Sequence, residues 1–195
     1  MEFVGGYQTV AVPVIFKGKL GITEEETDWN VYPQVLEKAR ALGSAAKLTI
    51  CRYAAHLFLA GFSTSYLSYG DNLPLFSTVH TRADGGSTQS NSSTTSIALT
   101  EANLETAFSA FKKQKTGTGK PVPIGAGNTV LMVPTDLDKE AVILTGSSLR
   151  SGVANNDINY YHGKFDVFVN RFLDSDMTDP YGNAGSVAAW FLLAR

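Results

Sequence analysis

The stretch that decides the fold runs from Val31 to Gly61 and reads VYPQVLEKARALGSAAKLTICRYAAHLFLAG. Within it Val31, Val35, Ala39, Leu42, Ala46, Ile50, Tyr53 and Leu57 recur at steps of four, four, three, four, four, three and four, which is the repeat of one helix face. The spacing predicts a helix from about Val31 to Ala60, on the order of 40 Å long at about 1.5 Å per residue. Glu37, Lys38, Arg40, Lys47 and Arg52 fall off the stripe and should face solvent. Gly61 offers a left-handed stop, and Pro33 fits only if it lies in the first turn. A helix this long with one apolar stripe is expected to lie across its domain as a brace.

Upstream, residues 7–20 alternate β-rich positions (Val10, Val12, Val14, Phe16) with Thr9, Ala11, Pro13 and Ile15 and close on Lys17-Gly18-Lys19. This pattern predicts an extended arm, at an edge or on a projecting loop because Pro13 cannot donate to a ladder. Thr23-Glu24-Glu25-Glu26 then places acids where a helix N-terminus favours them.

Downstream, Gly70-Asp71-Asn72-Leu73-Pro74-Leu75-Phe76-Ser77 is turn chemistry followed by a short apolar plug. The small polar run from Asp84 to Thr95 predicts a mobile loop and the best boundary between two lobes. Thr100 is a good N-cap, and Leu99 with Leu104 occupies the two positions of a hydrophobic staple. The helix that follows should bury Leu104, Ala107, Phe108 and Phe111 and end near Lys115, before Gly117-Thr118-Gly119. Thr129-Val130-Leu131-Met132-Val133 reads as a buried strand stopped by Pro134, leading through Thr135–Asp138 into a helix to about Leu144. Residues 164–170 and 187–193 read as further strands of the same sheet. The expected class is α+β, with an α/β layer in the second half.

Length and composition fit one domain or two small lobes with a shared core: 195 residues, 44% hydrophobic and 11% aromatic. A net charge of -2 gives no global basic field for nucleic acid. Cys51, the single cysteine, cannot form an internal disulfide and is expected to be buried on the long helix, as in a protein made in a reducing compartment. Arg52, His56 and Lys47 interrupt the most apolar region, so no membrane span is expected, and the N-terminus lacks signal-peptide features.

Catalysis finds no foothold in these residues. His56, His80 and His162 lack metal-ligand spacing, and Asp174, Asp176 and Asp179 lack the glycine and glutamate offsets of a calcium loop and read as a solvated turn. Gly117-Thr118-Gly119-Lys120 misses the first glycine of a phosphate loop and has Pro121 in place of the hydroxyl residue, and Gly125-Ala126-Gly127 precedes its strand. No Gly-x-Ser-x-Gly elbow occurs. The polar and aromatic cluster Asn155-Asn156-Asp157 and Tyr160-Tyr161-His162 is the best support for a small enzyme or ligand-binding domain, and loop packing explains it as well. Lys17, Lys19, Lys112, Lys113, Lys115 and Lys120 gather in two places, either as solvated charge or as contacts to phosphate or to an acidic neighbour.

The order of these parts resembles phage major capsid proteins of the Hong Kong 97 fold, especially the Mu-like major head subunits. The resemblance is carried by Phe16-Lys17-Gly18-Lys19-Leu20-Gly21-Ile22-Thr23-Glu24-Glu25, by Gly70–Ser77 with Thr78-Val79-His80, and by Leu99-Thr100-Glu101-Ala102-Asn103-Leu104-Glu105. Leu131-Met132-Val133-Pro134, Ala154-Asn155-Asn156-Asp157-Ile158-Asn159 and Ala189-Trp190-Phe191-Leu192-Leu193 complete the set. It implies an extended loop at residues 1–22, a peripheral domain with a spine helix at 23–96 and an axial domain at 97–195. An N-terminal arm and C-terminal strands usual in the family have no counterpart in the sequence. The function implied is a shell subunit that self-assembles through hexamers and pentamers into an icosahedral head in the bacterial host cytoplasm and ends in the virion. Implied partners are copies of itself, packaged double-stranded DNA by weak non-specific contact, and scaffold, portal or decoration proteins, with no cofactor, metal, catalytic residue or membrane. Val14, Phe16, Lys17 and Lys19 on the extended loop are the implied subunit contacts. Some members join a loop lysine to a neighbour's asparagine, but no matching acid accompanies Lys17 and Lys19. An encapsulin-like compartment shares the fold and is the alternative.

Overall fold

A computed structural model describes residues 7–8, 13–28, 32–64, 70–124, 129–150 and 157–195. Val31, Val10, Val12, Gly125-Ala126-Gly127 and Ala154-Asn155-Asn156, each part of an expectation above, lie outside the described residues. The elements in chain order are α1 (Glu24–Asp28), α2 (Tyr32–Leu59), α3 (Glu101–Lys112), β1 (Thr129–Val133), α4 (Asp138–Gly146), β2 (Phe165–Val169) and β3 (Phe191–Ala194), with short 3-10 turns at Thr135–Leu137 and Arg171–Leu173.

The three strands form one mixed sheet in the order β2-β1-β3. β1 runs parallel to β2, pairing Thr129 with Phe165 and Val133 with Val169, and antiparallel to β3, pairing Thr129 with Ala194 and Met132 with Phe191. The parallel pair needs a crossover, and α4 supplies it. The central strand is buried at Thr129, Leu131, Met132 and Val133, as its uninterrupted apolar run requires.

Alternation along β1 divides the core into two layers. Leu131 and Val133 point toward α3 and α4 and pack with Leu99, Leu104, Phe108, Ala141, Tyr161 and Phe165. Met132 points the other way, toward Leu173 and Phe191, where Phe58, Leu59 and Phe76 close over it. α3 starts as its sequence requires: the Thr100 hydroxyl accepts from the Asn103 N–H at 3.3 Å, and Leu99 and Leu104 are both buried. It ends at Lys112, three residues short of the expected stop, where the Lys113 N–H turns back to the Ala110 carbonyl. The last strand begins at Phe191, later than expected, and Trp190 before it donates its indole N–H to the Ile97 carbonyl at 3.0 Å.

α2 has the expected length, with Pro33 in its first turn. Its orientation is the main correction. The buried side is Ala55, His56 and Ala60 with half-buried Tyr53, Phe58 and Leu59, whereas Ile50 is 64% and Leu57 41% exposed. Cys51, expected inside, is exposed as well. The physical reason is that Arg52 and His56 find acceptors far along the chain, Thr178 at the surface and Asp179 in the interior. Arg52 donates from Nε to the Thr178 carbonyl at 2.7 Å, and His56 Nδ1 pairs with the Asp179 carboxylate with both side chains fully buried. Phe58 meets Phe191 edge to face at 5.2 Å, and Tyr181 lies 4.6 Å from the His56 ring.

Asp179 and Asp174 are therefore not a solvated turn. Asp179 Oδ1 accepts from the N–H groups of Tyr181 and Asn183, each at 2.8 Å, and Oδ2 from the Asn183 amide at 2.6 Å. Asp174 accepts from the Thr135 N–H at 2.7 Å and from Arg171, while Asp176 stays on the surface against the same arginine. Burial pushes both buried carboxyls up, but the Asn183, His56 and Tyr181 donors hold Asp179, and the Thr135 and Arg171 donors hold Asp174, below the usual aspartate value.

Three smaller expectations also shift. Gly61 does not adopt the left-handed region; a Cβ there would stand 2.6 Å from the Phe76 ring, so close approach explains the glycine. Residues 84–95 are pinned rather than loose, because Asn91 bridges the Ser77 N–H and the Leu75 carbonyl, His80 bridges Gln89, and Gln89 exchanges two hydrogen bonds with the Lys115 backbone. The described arm residues 13–20 form no strand.

Two stability predictions follow from this packing. Leu131→Ala should lower the unfolding free energy of the subunit by about 3 kcal/mol in urea titration, while Ile50→Ala should leave it within about 0.5 kcal/mol of the parent. Asp179→Ala, which strips two turn N–H groups and the buried His56 Nδ1 of their hydrogen-bond partner, should cost about 3 kcal/mol at neutral pH. Because the folded carboxyl titrates below its ordinary value of 3.8, its contribution is full above that pH and is lost as pH falls below it. Parent and variant should therefore converge in an acid titration below about pH 4 and diverge above it.

Candidate assembly surface

From Tyr32 to Leu48 no residue of α2 is buried, and only Val35 is even half-buried. Only the C-terminal turns of the helix dock on the sheet. The N-terminal part carries α1, whose Thr23–Glu26 capping box closes through the Thr23 hydroxyl and Glu26 carboxylate, and which Lys38 ties to α2 through Glu26.

The uncovered side of α2 is not polar. Tyr32, Leu36, Ala39, Gly43, Ala46, Ile50, Ala54 and Leu57 follow one another at steps of four and three and are all exposed. Tyr32 is 57%, Leu36 58% and Ile50 64% accessible. No charged residue interrupts this line, so it forms an apolar seam some 25 residues long with the spacing of a packed helix face. Gly43 lies in its middle, where a Cβ would meet nothing within 4 Å among the described residues. A glycine inside a helix costs about 1 kcal/mol relative to alanine, and nothing among the described residues accounts for it.

The extended segment lies beside this seam. Phe16 contacts the Tyr53 ring edge to face at 5.2 Å, and at Gly18 a Cβ would stand 2.8 Å from Leu42, so the segment presses closely on α2. Val14, Ile15 and Phe16 nevertheless remain 45%, 77% and 48% exposed, and Lys17 and Lys19 face solvent. The four residues expected as subunit contacts thus stand together next to the exposed helix. The seam itself is not evident from the sequence, where four of its eight residues, Ala39, Ala46, Ile50 and Leu57, fall in the stripe expected to face the domain. The anchor was missed too, although Asp179-Pro180-Tyr181-Gly182-Asn183 carries the signature of an Asx turn, with Gly182 at φ +89°.

Of the cluster that favoured a ligand site, Asp157 and Tyr160-Tyr161-His162 lie within the described residues. Tyr161 is buried in the core, and Tyr160 is exposed with the Lys164 ammonium 3.0 Å from its ring centre. The neighbouring depression, about 260 Å³, is open and lined by Glu101, Glu105, Phe108, Ser109 and Lys112 with the two tyrosines, so it brings no histidine or cysteine. Among the described residues no three His, Cys, Asp or Glu side chains group to hold a metal ion, and no helix is long and apolar enough to cross a membrane.

No curated protein sequence matches the chain. The solved capsid of bacteriophage JBD30 has a similar fold, at TM-score 0.51 and 16% identity over 73% of this chain and 67% of that one. A family model described as phage capsid protein matches residues 6–195. That match spans almost the whole sequence, and the chain belongs to the phage capsid protein family.

Proposed function

We propose that this chain is the major shell subunit of a phage head of the Hong Kong 97 fold, close to the Mu-like major head subunits, and that it self-assembles through hexamers and pentamers into an icosahedral particle around the genome. The observation that carries the reading is the seam on α2: a long helix anchored at one end and apolar along its free side. Burying one such large aliphatic side chain is worth about 2 kcal/mol, so leaving the seam in water forgoes a large gain that a neighbouring copy recovers. Val14, Phe16, Lys17 and Lys19, on the segment beside it, are the contacts we assign to the neighbour. In this reading residues 1–22 form the extended loop, 23–96 the peripheral domain and 97–195 the axial domain. Packaged DNA and scaffold, portal or decoration proteins are its implied partners, and the host cytoplasm its place of assembly.

Purified subunit, concentrated near physiological salt, should sediment as closed particles that negative-stain microscopy resolves as shells. Ile50→Glu with Leu57→Glu should abolish those particles and leave a soluble subunit with an unchanged melting temperature, since both positions are exposed in the single chain. Small discrete oligomers under every condition, or shells from the double variant, would overturn the proposal.

A further inference from the structure

A second surface differs from the seam in chemistry. Between the turn at residues 82–90 and the C-terminal end of α3 lies an open groove of about 300 Å³. Arg82, Lys113 and Lys115 line it together with the hydroxyls of Ser87, Thr88 and Ser90, and no carboxylate is among the lining residues. Its walls are fixed: Gln89 holds the Lys115 backbone at both N–H and carbonyl, and the Gln114 amide donates to the Ser90 carbonyl at 2.6 Å. The Arg82 guanidinium pairs with Asp84 on its outer side, while its Nε–H is buried with no acceptor, so its hydrogen-bonding capacity is only partly met. Lys113 and Lys115 are exposed and, among the described residues, make no ion pair. The groove is a positive recess in which Asp84 answers Arg82, while Lys113 and Lys115 have no ion-pair partner among the described residues.

The opposite charge sits on α1. Glu24 and Glu25 are exposed and, among the described residues, unpaired, whereas Glu26 is taken by Lys38. Lys38 lies 14 residues before Arg52, where α2 is anchored to the loop at Thr178, so α1 is held roughly 20 Å out along the helix. We propose that the groove receives α1 of a second copy of this chain, with Glu24 and Glu25 answering Lys113 and Lys115. The two patches are different and both lie on one molecule, so the contact is head to tail. Such contacts propagate around a ring when the rotation closes. The inference rests on the shell reading and names one charged contact within it. Being exposed and ionic, the contact weakens with salt, unlike the apolar seam.

The test is a charge swap in the full-length chain, read by sedimentation velocity. Lys113→Glu with Lys115→Glu should reduce the assembled fraction at least tenfold, and Glu24→Lys with Glu25→Lys should do the same. The four changes combined should restore assembly, and the milder pair Lys113→Gln with Lys115→Gln should show a smaller loss that grows with added sodium chloride. Circular dichroism on each variant should match the parent. Unimpaired assembly after either reversal, or no rescue in the fourfold variant, overturns this contact while the shell reading stands. If the lysine reversal leaves assembly intact but lowers binding to a double-stranded DNA fragment, the groove is a nucleic-acid surface and the inference falls. A parent chain that never assembles would instead defeat the shell reading itself.

Discussion

Everything distinctive about this subunit depends on one buried junction, where His56 of α2 meets Asp179 in the loop before β3. The two side chains are fully hidden from solvent and lie 123 residues apart in sequence. Around them the Arg52 guanidinium holds the Thr178 carbonyl, and Phe58 and Phe76 close on Phe191, so polar and apolar contacts converge on the same few turns. Among the described residues, the buried positions of this 28-residue helix lie only in its C-terminal turns, at that junction. Its rotation about its own axis is set by which side chains the junction accepts, and acceptance of Arg52 and His56 turns the Ile50 and Leu57 side outward.

That rotation converts what would be a core stripe into an external one. In a self-contained protein a line of exposed aliphatic residues along most of a long helix is an aggregation liability. For a member of the phage capsid protein family, the proposed shell reading makes it a means of association. The sheet and the α3–α4 layer form a conventional interior that needs no neighbour, with Leu104, Leu131 and Val133 wholly buried. In that reading stability and assembly fall to different parts of one chain, and substitutions on the seam should alter one without the other.

Much of this was legible from the residues, and what failed did so for definable reasons. Local signals read correctly: the Thr100 cap, the Leu99–Leu104 staple, the apolar run of β1 and its joining with the two later strands all follow from neighbours in sequence. The length of α2 was legible because its period is sustained over seven turns. The direction of its apolar face was not, because periodicity reports that a stripe exists and not whether its partner is intramolecular. Residues 84–95 looked too polar to order by burial, and they are ordered instead by side-chain amides of Asn91, Gln89 and Gln114 that no hydrophobic pattern registers. Asp179 read as solvated because its partner His56 is remote in sequence; only the turn chemistry that follows it was visible.

The central claim is that the outward seam of α2 is covered by another copy of the chain. A density map of assembled particles, at a resolution that places side chains, tests it directly. The account predicts that Leu36, Ile50 and Leu57 lie in van der Waals contact with a neighbouring subunit and that Gly43 marks the closest approach of its backbone. A closed particle in which this side of α2 faces open solvent would contradict it.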